Sequence, residues 1–576
     1  MFKFTNPLNL LLPLLIVASV ATNGWSHGPE NVLVVVNADS DNSIELANHY
    51  ISLRNIPGRN VVYIRNITSV KASALESIYS KYYRAEILEP VHDAIKERGL
   101  EQQIHCITYS VDIPTRILSQ PEMNKYLKAV GKEYDIHFHA PFLSMNSATY
   151  IGDEFFANEP TFLEQHANWY AQDSSAPTRA FSSQAYWTKD GQPTGDATNG
   201  RRYMLSSMLA VVRENGSTMK QAMEQLERSA TADGTKPQGE FYFVDNQDPR
   251  SRTRKSQFAP AAEELKKLGF DVEIGSAAMP SNKTILGATL GSASVDWRKG
   301  KSKFVPGALC DNFTSYGAWW EKSQTKVTHF LNQGAAAATG MVYEPYTIAY
   351  KIPTTFAHVH YVKGCTVAEA IYQTVLNPFQ MLVVGDPLCR PFADLPEFTL
   401  TGVTDRSLVG SDLKIETSEV EGKAKIDHYD VYIDGILHSS VNPNQPIQIA
   451  IADLTPAYHE LRIVAVSDSI SGASVGQAFD IFVRSESHKA PLLRLKLEKS
   501  EIQSDDKLSV SCQFPDDITV ELRQNFRVIG KFKSSEEPIV IDAKTLGNGK
   551  SRVYATAKID GQLLSGVPQE VNVVSK

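Results

Sequence analysis

From residue 31 to residue 392, short apolar runs bounded by Gly, Pro or Asn alternate with stretches of helical periodicity. Asn31–Val36 (NVLVVV) is the clearest run, a continuous apolar segment of strand length, as expected for a strand buried on both faces. A polar loop, Asn37–Asn42, leads into a predicted helix Ser43–Leu53, and Ile56-Pro57-Gly58 ends it before a second strand, Asn60–Ile64. A helical stretch within Leu75–Arg98 runs through Gly99 to a third strand, Gln103–Tyr109. Strand, helix and strand in this alternation imply right-handed crossovers and a largely parallel sheet.

The pattern loosens over 120–234, which reads as an aromatic-rich insertion capping the sheet, with helical portions at Arg201–Val212 and Met219–Ser229. It then resumes as strand Phe241–Asp245, helix Pro260–Leu268, and strands Phe270–Ile274, Ile285–Thr289 and Phe304–Leu309. Helix Gln324–Asn332, the small-residue strand Ala335–Thr339, a helix Val367–Val375 with a Thr366/Glu369 capping box, and strand Met381–Val384 complete this part. Past Pro396 the period changes to two, in Asp412–Glu416, His428–Ile433, Glu460–Val466 and Ala478–Val483. A polar linker, Arg484–Pro491, precedes a second series: Leu493–Leu497, Lys507–Cys512, Ile518–Leu522, Phe526–Phe532, Pro538–Ile541 and Arg552–Ile559. The expected organisation is an α/β domain over 30–396 and two all-β immunoglobulin-like sandwiches over 397–485 and 491–576.

Residues 1–21 have the form of a signal peptide: Lys3, an apolar Leu8–Val20, and small residues at Ser19-Val20-Ala21. The run is too short, and broken by Pro13, for a lasting anchor, and no later segment has the length of a transmembrane span. The expectation is an exported protein, periplasmic, outer-surface or extracellular, with no transmembrane anchor after signal removal. A net charge of -8 argues against nucleic acid as partner, and the basic cluster Arg250, Arg252, Arg254, Lys255 reads as a solvated loop. Five cysteines without regular spacing exclude a disulfide framework, and Cys106, within IHCITY, reads as a buried small hydrophobe.

The candidate nucleophile is Cys310, in KFVPGALCDNFTSY. The strand is expected to break at Pro306-Gly307 and present Cys310 at its end, where open α/β sheets carry catalytic groups. Asp311 and Asn312 offer turn amides, but the neighbouring Ile285–Trp297 holds no histidine to act as base; His329, His358 and His360 are the remaining candidates. Glu344 (in Glu344-Pro345-Tyr346) and Asp386 (in Gly385-Asp386-Pro387) are carboxylates in rigid turns after strands, and would line the same cleft or cap their own backbone. The pairs His137/His139 and His358/His360 have HxH spacing but no third ligand at a fixed distance. Asp39 and Asp41 lack the glycine of a calcium loop. No metal and no cofactor is expected.

The segments NVLVVVNADSDNSIELANHYISLRNIPGRNVVYI, FVPGALCDNFTSYGA, GAAAATGMVYEPY, GCTVAEAIYQTV and QMLVVGDPLCRPF together resemble an uncharacterised family of exported bacterial proteins from species with exosortase-type sorting, over Asn31 to Phe392. The terminal VNVVSK lacks the anchor and basic tail of an exosortase substrate. More distantly, the order strand, turn, cysteine, GAAAATG, AEA helix and GDP turn resembles gingipain-type peptidases of the caspase-like clan. That resemblance implies a caspase-like or gingipain-like fold, with Cys310 at the nucleophile position. It also implies a histidine where Leu290-Gly291-Ser292 stands, so the base is missing.

Three readings follow. The first is a non-peptidase relative of that fold that binds a protein or polysaccharide at the cell surface, or takes part in surface assembly. The second is a cysteine hydrolase using Cys310 with a relocated base. The third is a carbohydrate-active protein, for which the aromatic residues Tyr150, Trp169, Tyr170, Tyr186 and Trp187 speak.

Overall fold

The computed structural model describes residues 27–575 apart from 72–73, 130, 134, 136–138, 153–164, 172–175, 485–492, 516–517 and 560. The predicted signal segment, His137 and most of the predicted linker lie outside the described residues. Among those described, no helix is long and apolar enough to cross a membrane.

Ten strands form one sheet. In chain order they are β1 (Val32–Asn37), β2 (Val61–Ile64), β3 (Cys106–Tyr109), β4 (Leu205–Met208), β5 (Glu240–Val244), β6 (Asp271–Gly275), β7 (Thr284–Leu290), β8 (Lys303–Asn312), β9 (Ala337–Met341) and β10 (Met381–Gly385). Their spatial order is β6-β5-β7-β8-β9-β10-β4-β3-β1-β2. The ladders β6-β5-β7-β8-β9 and β4-β3-β1-β2 are parallel; β9 and β10 pair antiparallel, and β10 meets β4 at the single pair Val384–Met208. The continuous apolar runs form strands here because helices cover both faces: every residue of β1, β9 and β10 is buried. Helix α1 (Asp41–Arg54) starts at Ser40, whose hydroxyl accepts from Ser43 N, and stops at Asn55 in the left-handed region. The predicted Thr366/Glu369 capping box is present on its helix, Val367–Tyr372.

Two expectations change. Arg201–Val212 is not helical: it supplies β4, a central strand between β3 and β10, so the insertion does more than cap the sheet. A short apolar run has no period that separates a buried strand from a buried helix, and here the flanking ladders decide. In β8, Pro306-Gly307 does not end the strand but makes a bulge inside it. Pairing with β7 jumps from Ile285–Phe304 to Gly287–Leu309, and Gly307 takes φ +86 against Pro391. The strand then continues through Asn312, two residues beyond Cys310.

Residues 398–483 form a three-stranded sheet (Phe398–Thr401, Leu413–Glu419, Ile447–Ile449) and a five-stranded one around Ile415, Tyr429, Ile447, Leu461 and Ile463. Its Asp434-Gly435 turn has both residues at positive φ, the hairpin geometry that dipeptide favours. Residues 493–574 repeat the plan around Leu508, Val510, Leu522, Val553 and Val571. The fold is therefore an α/β layer followed by two β-sandwiches. The sandwiches fold back onto the layer: Arg462 pairs with Glu30, Arg390 donates to Ser474 O, Asn48 donates to Leu546 O and Asn548 O, and Asn525 donates to the Tyr63 hydroxyl.

Candidate functional site

Strand alternation puts Cys310 on one face of the sheet, level with Ala288 of β7 and Ala338 of β9. The thiol is fully buried. Burial and the neighbouring Asp311 push it well above the usual cysteine range, against which Arg254 pulls only weakly. Because β8 runs past it, Cys310 lies within the sheet and not at a strand end, and the near-ordinary acidity that an exposed turn would give is lost.

The opposite face at the same level carries Thr289, Asp311 and Thr339, which are cross-strand neighbours. Asp311 accepts from Thr339 Oγ1 at 2.6 Å and pairs with Arg254, a guanidinium 1% exposed that also donates to Leu290 O. Arg254 precedes helix α4 (Lys255–Lys267) and was expected in a solvated loop. Its cluster-mates do behave that way, Arg250 pairing with Asp248 and Lys255 with Asp245. His358, on helix α5 (Ala357–Val362), lies 3.1 Å through Nε2 from Thr289 Oγ1, with Phe241 and Phe243 beside its ring. Burial, with Arg254 nearby, pushes it down to about 3, so it is neutral. Its Nδ1, Arg254 Nε, Thr354 Oγ1 and Thr355 Oγ1 are buried without hydrogen-bond partners among the described residues. Histidine and cysteine thus stand on opposite faces of the sheet.

The other candidates disperse. His360 lies two residues on from His358 in a helix, not a strand, so the two rings diverge; its Nδ1 meets Thr178 Oγ1 at 2.8 Å. His329 Nε2 accepts from Trp297 N at 3.0 Å. Asp386, expected to line the cleft or cap its own backbone, is fully buried, bound by Arg54 and by the Tyr50 hydroxyl at 2.9 Å, and it accepts from Leu388 N of its own turn at 3.0 Å. Burial pushes its carboxyl up, and Arg54 opposes that. Glu344 stays half-buried and accepts from Tyr346 N at 3.1 Å, capping its own turn. Asp39 accepts from Arg65 and Asn66 N, away from Asp41. Tyr150 stacks between Tyr203 and Tyr372, Tyr170 packs edge-on against Phe181, and Arg179 lies over both Tyr170 and Trp187. Among the described residues no group of three or more His, Cys, Asp or Glu is placed to hold a metal.

The segments that follow β3, β8 and β9 meet. Trp320 N donates to Glu76 Oε1 at 2.8 Å, and Arg116 donates to Val342 O from between the rings of Trp319 and Phe142. Beside them a groove of about 640 Å³ is lined by Asn215, Asp296, Trp320, Lys326, His329 and Asn332 among others. Burial pushes Lys326 down to about 8, and its ammonium donates to Tyr316 O and Ser323 O. Sequence reasoning passed over this groove because its residues are scattered and polar.

No family model matches the chain, and no curated protein does. Among solved structures, fibronectin(III)-like modules of Clostridium thermocellum CbhA are 18% identical over 31% of this chain and 94% of theirs, with TM-score 0.14. Dimeric latent PorU of Porphyromonas gingivalis is 16% identical over 34% of this chain and 22% of its own, with TM-score 0.14. SGBP-B of the Bacteroides ovatus mixed-linkage glucan utilization locus, solved with a mixed-linkage heptasaccharide, is 14% identical over 31% and 47%, with TM-score 0.19. Similarities this slight assign neither fold nor function.

Proposed function

We propose that this chain is an exported binding protein of the cell envelope or exterior, built on a sheet that lacks a working cysteine centre. The separation of Cys310 from His358 by the thickness of the sheet carries this reading. A cysteine hydrolase needs a base within hydrogen-bond reach of its thiol, and the position that the gingipain-like pattern gives to histidine is held by buried Leu290. The ligand surface in this reading is the groove beside the carboxyl ends of β7 and β8, the side on which open α/β sheets place their sites. Its amides, hydroxyls and mixed charges, Asp296, Arg298, Glu321 and Lys322 among them, suit a hydroxylated polysaccharide better than an apolar peptide.

The test is binding of soluble bacterial polysaccharides by affinity electrophoresis, with an activity-based thiol probe applied in parallel. Retardation abolished by Asn332→Ala, with no probe incorporation at pH 6–7, is the expected result. Rapid labelling that Cys310→Ala removes would restore the hydrolase reading.

A further inference from the structure

A second cavity lies where the α/β layer and both sandwiches converge. It holds about 330 Å³, within the range of small-molecule sites, which favour domain junctions. Ile51, Ile56 and Pro57 come from the α/β layer, Tyr458 from the first sandwich, and Leu563 and Pro568 from the second; together they give it apolar walls. Two polar side chains that line it are more than nine-tenths buried and incompletely bonded: among the described residues Arg462 Nε and Ser551 Oγ have no hydrogen-bond partners.

The charge around it is unbalanced in a specific way. Three guanidinium groups surround the ring of Phe526, Arg59 at 5.0 Å, Arg98 at 4.7 Å and Arg523 at 5.5 Å. Arg523 has a carboxylate partner, Glu521. Among the described residues Arg59 and Arg98 donate to main-chain carbonyls alone, those of Asp434 and Arg98 for the first and of Arg59 and Val61 for the second. Neither forms an ion pair among the described residues. Burial and the presence of Arg59 push Arg98 down to about 10, so both remain cationic at neutral pH. The other cations lining the cavity are answered, Arg462 and Arg552 by Glu460 and Lys550 by Glu570. Arg59 lines the cavity with no carboxylate within ion-pair distance among the described residues, its charge offset only in part by Asp434, while Arg98, outside the lining, adds like charge; a bound anion would relieve both.

We propose that this junction is a second binding site, distinct from the groove, for a small ligand carrying a carboxylate or phosphate. The oxyanion faces Arg59, and the body of the ligand lies against Pro57, Tyr458 and Leu563. Because three folded units contribute to it, occupancy also holds them together.

Calorimetric titration of the full mature chain with glucuronate, inorganic phosphate and neutral methyl glucoside tests this. Two variants accompany it. Arg59→Gln removes one charge; Leu563→Trp, at a side chain 43% exposed on the rim, fills the mouth without touching the buried contacts. The expected result is saturable binding of glucuronate, weakened at least tenfold by each variant and not reproduced by the glucoside. Phosphate binding with the same sensitivities would assign a phosphorylated ligand and also support the site. Absence of saturable binding by both anions, equal binding of the glucoside, or binding that either variant leaves unchanged would overturn it.

Discussion

Asp311 rather than Cys310 is the residue on which the middle of the sheet depends. Its carboxylate is the counter-charge of an arginine that is 1% exposed, and removing one member of a buried pair leaves the other uncompensated. Asp311→Asn should therefore cost about 3–5 kcal/mol in denaturant unfolding, while a hydrophobic Arg254/Asp311 double replacement should cost much less than twice that. The thiols behave oppositely. All five cysteines are buried and unpaired, so Ellman's reagent should find none accessible in the native protein between pH 6 and 8 and five after unfolding. One fast-reacting native thiol would contradict the geometry. The sequence could nominate Cys310, because a Pro-Gly break, a small residue, a cysteine and a carboxylate within Pro306–Asp311 are visible in one line of text. It could not reveal that Arg254, 57 residues away, spends its charge on the next residue, since nothing local distinguishes it from its solvated neighbours.

At the level of strands and helices, β1, β3 and β10 were legible because a strand buried on both faces is apolar along most of its length. β4 was not, since its identity depends on neighbours that join it from 99 residues before and from beyond residue 380. Close packing between β7 and α5 gives a sharp test. A Cβ at Gly287 would sit 2.6 Å from His358 Nδ1 and 2.8 Å from Phe241, so Gly287→Ala should lower stability by about 1–3 kcal/mol in thermal or chemical unfolding. His358 and His360 also set the acid limit. Burial holds them down to about 3 and about 4, so the unfolded chain binds protons first. Their contribution is present above about pH 6.5 and is lost as pH falls toward those values. Urea midpoints should drop from pH 7 to pH 4 more steeply than in His358→Gln. In the first sandwich the sign reverses. Burial opposes the charge on His428, but Asp430 and Asp427 outweigh it and raise it to about 9. Its stabilisation, about 1 kcal/mol for a pair at the surface, is full below pH 6.5 and disappears as pH rises through about 9. The difference between native protein and His428→Gln should shrink in step.

Across the whole molecule, the contacts that join the α/β layer to the sandwiches include buried, charge-assisted ones, Glu30 with Arg462 above all. We expect limited proteolysis to nick the chain near Leu395–Glu397, where the sequence changes from helix-and-strand alternation to period two. The two fragments should still co-elute on gel filtration until Glu30→Gln or denaturant separates them. Cleavage confined to the interior of either part would place the boundary elsewhere. The strand order has a consequence for synthesis. β10 is the last strand of the sheet to be made, yet it occupies the gap between β9 and β4. Until residue 385 has emerged, two strands that are buried in the finished sheet present open edges to one another and to any passing chain. The protein therefore has a long window of vulnerability that closes in a single late event. A chain cut short just before Met381 should appear as aggregate and not as a smaller soluble protein.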